Sequence, residues 1–194
     1  MTTWTEHSGG GRDRGLRGVV RAWLSVLTRP RRFFAAGVAP GDQAPGLVFF
    51  DLVALTYVVG LFAAEPSAVP ALPGGTAAAV TLAVLAVAVA VAPATLHLTA
   101  ALQTVLLIVA ANDRAGVSET VQVVGYAAAP LALAGPPIPA LRAVAAGYAG
   151  VLLVVGLATV HETSLPRATA AGVVPAYLLF GLAAGGVDAV AALT

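Results

Sequence analysis

The residues able to do chemistry are few: ten Arg and no Lys, nine acids, three His and no Cys in 194 positions. Several lie inside or against long apolar stretches. An ionisable group there is costly and is retained for a site or an internal pair. Asp51 stands five residues into the first stretch, and His97 and Gln103 share the longest. Arg142 opens a later stretch and Asp188 closes the last; the two are predicted to approach each other at one end of the fold. A proton relay would need an acid and a His at one depth. By the helical rise, His97 sits ~21 Å from the inner end of its stretch and Asp51 only ~8 Å along its own. The expectation is therefore a His97 buried in a helical bundle and bonded to a neighbour.

His161-Glu162 begins as the helical zinc-protease motif does, but that motif needs a second His four positions on, where Leu165 stands. Ser164 has no His at a triad-like separation. No nucleophile elbow, P-loop or dinucleotide fingerprint occurs, and the lack of Cys removes thiolate ligands and thiol nucleophiles. The sequence thus predicts a non-enzyme with no catalytic residues, metal ligands or cofactor site, and no nucleic-acid partner. Two other groups have a physical role. Pro130 leaves the carbonyl of Tyr126 without its helical donor and is predicted to kink the helix. Asp113, Arg114, Glu119, His161, Glu162 and Arg167 gather in connecting segments, read either as a docking surface or as ordinary loop ends and caps.

The elements that hold these residues follow from composition. Hydrophobic side chains make up 59% of the chain and charged ones 10%, with mean hydropathy +0.91. A soluble domain carries about 25% charged residues, so an ordinary soluble enzyme is excluded, as is a disordered chain. An all-α integral membrane bundle remains, with the lipid bilayer as its first partner. Residues 1–14 read as a flexible polar tail. Residues 15–32 read as a basic amphipathic helix on an anionic membrane surface, with Leu16, Val19, Val20, Trp23, Leu24 and Leu27 on one face and Arg14, Arg17 and Arg21 on the other.

Residues 33–192 form the membrane domain, with spans at about 46–64, 76–111, 118–134, 140–160 and 167–190. Residues 76–111 carry no charge over 36 positions and make a helix of ~54 Å. They form either one long crossing kinked at Pro93 or two short ones with a turn at Val91–Thr95. With five spans and a cytoplasmic N-terminus, nine Arg fall inside and only Arg142 outside. The two-crossing count gives eight and two, and its turn would leave backbone groups unsatisfied in lipid. Five spans in the cell membrane, with the C-terminus outside, is the preferred reading. Ala143, Ala146, Gly147 and Gly150, and the pair Gly181 and Gly185, supply small-residue faces for bundle packing or for a homo-oligomer.

Three stretches together resemble a known family: Arg29–Phe34 (RPRRFF) before the first span, Gly125–Pro130 (GYAAAP) in the third, and His161–Ala168 (HETSLPRA) entering the last. Over roughly residues 20–190 the chain resembles the Yip domain family of Ypt/Rab-GTPase-interacting-like membrane proteins, in particular its prokaryotic branch. The resemblance implies five spans and a cytoplasmic N-terminus. Eukaryotic members are linked to vesicle traffic and membrane shaping, whereas prokaryotic members have no defined activity. No long acidic or Pro-rich N-terminal region is present for a GTPase to bind. The expected role is a non-enzymatic membrane scaffold or organiser, acting with a membrane-protein partner or a second copy. The alternative is a small-solute or ion transporter with a path near His97 and Gln103.

Overall fold

A computed structural model describes residues 3–6, 12–111 and 114–194 of the protein. Asp113 lies outside the described residues. Strands β1 (Thr3–Glu6) and β2 (Arg12–Arg14) pair antiparallel, Thr3 opposite Arg14 and Glu6 opposite Arg12. The described part of the predicted tail is therefore a short ribbon. The elements described after it are helices: α1 (Gly15–Thr28), α2 (Pro30–Gly37), α3 (Ala44–Ala64), α4 (Gly75–Ala110), α5 (Val117–Ala127), α6 (Pro139–Val160), α7 (Leu165–Ala183) and α8 (Gly186–Ala191). Proline stands in the first turn of α2, α3, α6 and α7, where its missing N–H costs nothing.

Among the described residues, α3, α4, α6 and α7 are long and apolar enough to cross a membrane. Their outward faces carry large apolar side chains such as Val59, Leu98, Val109, Val144 and Val173, as lipid contact requires. The long apolar stretch is one unbroken helix of 36 residues, α4, with no turn at Val91–Thr95. The segment predicted at 118–134 differs. It is an 11-residue helix, α5, followed by a 3-10 stretch at Ala129–Leu133. Every residue from Thr120 to Leu131 is buried, so the others enclose it. Near its start, Ser118 Oγ accepts the Gly41 N–H ahead of α3; just past its end, Arg142 at the start of α6 holds the carbonyls of Ala134 and Gly135. The segment therefore runs from one end of the bundle to the other.

Glycine sets this axis against α3. A Cβ on Gly125 would lie 2.6 Å from the Gly46 carbonyl oxygen, and one on Gly135 would lie 2.4 Å from that of Tyr57. The two backbones thus touch at both ends. Because Gly46 sits on Gln122 and Gly125, α3 starts roughly 5–9 Å further along the bundle than α5.

Three prolines change the winding. Pro93 follows a π stretch at Val87–Val91, and Pro175 precedes another at Tyr177–Ala183. At Pro130 the predicted kink is a switch to 3-10 winding. The last predicted span, 167–190, is not continuous: α7 stops at Ala183, Gly185 takes φ +72°, and α8 starts anew.

The amphipathic helix forms, with its apolar residues divided between the bundle and the outside. Gly18, Ala22 and Val26 are buried, while Leu16 is 79% exposed and Val20 and Leu24 about half exposed. Small residues let α1 approach closely, Val19, Trp23 and Leu27 pack against the core beside them, and Leu16, Val20 and Leu24 point away. Its Trp23 indole N–H donates to the Ala129 carbonyl at 2.8 Å, and the Tyr148 hydroxyl donates to the Leu27 carbonyl. α1 is thereby fastened to the side of the bundle.

Candidate functional site

The buried polar side chains are mostly occupied with backbone. Gln103 is wholly buried and donates through Nε2 to the Ala171 carbonyl at 3.1 Å. Pro175, four residues after Ala171, has no N–H for that carbonyl, so Gln103 supplies the missing donor. Gln122, also wholly buried, holds both backbone groups of Ala39: Oε1 accepts its N–H at 3.0 Å and Nε2 donates to its carbonyl at 2.7 Å. Sequence reasoning missed Gln122, because an amide one position beyond a helix turn carries no signal of a partner 83 residues away. Tyr126 is wholly buried, and its ring packs edge-on against Phe33 at 4.8 Å and Phe49 at 5.1 Å. Pro130 is buried beside it at the start of the 3-10 stretch.

At one end of the bundle the structure gathers Thr120, His161, Glu162, Ser164 and Arg167. α6 closes with a Schellman-type turn: the Thr163 N–H donates to the Ala158 carbonyl at 3.2 Å, and Glu162 adopts φ +45°. Ser164 then caps α7 by position, with Pro166 in the first turn. His161 is 1% exposed, with Nε2 3.5 Å from the Thr120 hydroxyl, and its Nδ1 and the Thr163 hydroxyl have no hydrogen-bond partner. Burial pushes the imidazole down to about 4; the charge of Glu119 opposes this and that of Arg114 adds to it. His161 is therefore neutral at pH 7. Glu162, Ser164 and Arg167 stay exposed around it.

The opposite end holds Arg142. Its Nε and Nη2 donate to the Ala134 and Gly135 carbonyls at 3.0 and 2.7 Å, and its guanidinium lies 5.6 Å from the Tyr57 ring centre. The Tyr57 hydroxyl in turn donates to the Ala184 carbonyl at 3.2 Å. Asp188 is at this end too, exposed in the first turn of α8. Among the described residues no ion pair joins it to Arg142. Carbonyls left over where the 3-10 stretch ends satisfy the arginine instead.

His97 and Gln103 do not share a wall. Gln103 points into the α7 contact, while His97 is exposed on α4 with Nδ1 2.7 Å from the Pro93 carbonyl oxygen of its own helix. His97 is thus not buried in the bundle as the sequence suggested. Asp51 is half-buried on α3, and its Oδ1 accepts no hydrogen bond.

A groove of about 1010 Å³ lies between α6 and α7–α8, lined by apolar residues including Ala146, Gly147, Gly150, Gly172, Gly181 and Val187. A Cβ on Gly147 or Gly150 would meet nothing within 4 Å. Of the predicted small faces, this one is open, and the close backbone contacts lie elsewhere. No group of three metal-ligating side chains occurs among the described residues.

A family model described as the Yip1 domain matches residues 24–186. No curated protein and no solved structure matches the chain.

Proposed function

The chain belongs to the Yip1 domain family of membrane proteins, and from that premise we propose that it is a non-enzymatic membrane scaffold, of the family's prokaryotic branch, with five crossings. The enclosed segment 117–133 is the third crossing in this reading, since it connects the two ends of the bundle inside the four apolar helices. The N-terminus is cytoplasmic and the C-terminus outside, in the cell membrane. Glu162, Ser164 and Arg167, exposed around the buried His161, then lie on the cytoplasmic face and form its docking surface, for a membrane-protein partner or a second copy.

The observation that carries the scaffold reading is where the buried and half-buried polar groups go. Trp23, Gln103, Gln122, Arg142 and Tyr148 each hold backbone carbonyls that proline, 3-10 winding or helix ends leave over. They build the bundle and do not converge on a chamber. Transport past His97 and Gln103 has less support, because the two side chains occupy different faces of α4. A photocrosslinker placed at Glu162 or Arg167 in native membranes tests the proposal. One discrete protein adduct is expected, while the purified chain in vesicles moves no solute. Solute flux through the purified chain, with no protein adduct, would overturn it.

A further inference from the structure

We propose that α1 is a headgroup-binding collar. It lies in the plane of the bilayer on the bundle's flank, with Arg17 and Arg21 on the phosphates of anionic phospholipids and Leu16, Val20 and Leu24 in the hydrocarbon beside them. The inference stands apart from the scaffold reading, since it holds for whichever leaflet the N-terminus meets.

Three contacts give the helix its direction. Val19 and Val20 line a hollow of about 270 Å³ with Phe49, Leu52 and Thr56 of α3. One turn on, the Trp23 indole donates to the Ala129 carbonyl of the enclosed segment. One turn further, the Leu27 carbonyl accepts from the Tyr148 hydroxyl of α6. α1 thus passes from α3 over the central segment to α6. It lies across helices that cross the membrane, and so along the membrane plane.

Sequence reasoning gave α1 two faces, and the structure gives it three. Gly18, Ala22 and Val26 are buried against the bundle. Leu16, Val20 and Leu24 are exposed on a second face, edged by the half-buried Trp23 and Leu27, and Arg17 and Arg21 are exposed on a third. At 3.6 residues per turn the three faces stand roughly 100–140° apart. A helix fastened sideways to a membrane bundle therefore turns one free edge to oil and the other to water. Charge decides which headgroups lie at that edge. From Gly15 to Gly37 the chain carries Arg17, Arg21, Arg29, Arg31 and Arg32, all exposed, and no acid. Phosphates match the guanidinium fork. A helix of this kind sits about 5–10 Å into the boundary, and arginine stems reach back from there to the headgroups.

Trp23 itself reports on the leaflet. The chain has two tryptophans, so Trp4→Phe leaves Trp23 alone. The full chain with that change is placed in vesicles of mixed phosphatidylcholine and phosphatidylglycerol, with bromine on the acyl chains of one lipid or the other. Bromine quenches only an indole that it touches. Brominated phosphatidylglycerol should quench Trp23 with an apparent affinity at least about five-fold above that of brominated phosphatidylcholine, the factor that one arginine near an anionic surface supplies. Arg17→Gln together with Arg21→Gln should bring the ratio close to one. Salt at ~1 M, which screens charges beyond about 3 Å, should do the same to the protein that keeps both arginines. The salt measurement needs no change in α1, so it decides the matter even where the double variant misfolds. Equal quenching by the two lipids, quenching by neither, or a preference that survives the double variant or high salt would overturn the proposal.

Discussion

Gln103 and His161 show how much of a side chain's role lies in its surroundings. Both are polar residues at apolar segments, and that much was legible. What each does depends on a partner that no local spacing reveals. Gln103 serves a carbonyl 68 residues away that Pro175 leaves without a donor. Gln103→Leu should therefore cost about 1–2 kcal/mol in denaturant unfolding from detergent micelles, whereas Gln103→Glu, which on ionisation offers no donor, should cost at least as much. His161 makes a pH prediction. Its folded imidazole ionises near 4, against 6.5 for the ordinary value. Between these values the unfolded chain holds more protons, so stability is flat above pH 6.5 and falls as pH drops toward 4. The loss should be on the order of 2–3 kcal/mol. His161→Gln should remove that slope; an equal slope in the variant would place the acid sensitivity elsewhere. The sequence marked His161 as a loop residue of interest, but its burial comes from the packing of α5 against the end of α6.

At the level of elements, helix starts were the most legible feature. Starts expected at 46, 76, 118, 140 and 167 are found at 44, 75, 117, 139 and 165, because charge, Pro and Gly end apolar runs abruptly. Winding was less legible. Proline reveals where a donor is missing but not whether π or 3-10 geometry absorbs the loss. The contact faces were the least legible, since small residues are common in this chain and only the register of α3 against α5 selects Gly46, Gly60, Gly125 and Gly135 as the touching ones. Gly135→Ala would drive a methyl to 2.4 Å from a backbone oxygen, and should cost roughly 2–4 kcal/mol or abolish folding. Gly147→Ala, facing open space, should change stability by less than about 0.5 kcal/mol. The turn after α6 gives the opposite sign. Glu162 holds φ +45°, so Glu162→Gly should stabilise the protein by up to about 1 kcal/mol in the same assay, unless its carboxylate serves the partner surface.

For the molecule as a whole, composition made a multi-pass membrane protein legible, and arginine placement made its orientation a definite prediction. A phosphatase reporter fused after Thr194 should be active only outside the cytoplasm, with a cytoplasm-dependent reporter silent at the same position; the reverse result would remove the fifth crossing. Nothing in the sequence alone reveals that the third segment is shielded from lipid by the others, because a buried span and an exposed one are equally apolar. One dimension remains to be followed to its end. The α4 helix is 36 residues long without interruption, ~54 Å of greasy rod against an oil layer of ~30 Å. Upright, it would hold some 24 Å of hydrocarbon side chains in water; fully submerged, it must lean by roughly 55°. Nearby lipid can lessen either penalty by stretching its tails, so this protein should partition toward the thickest patches of its bilayer and thicken the ring of lipid that it touches.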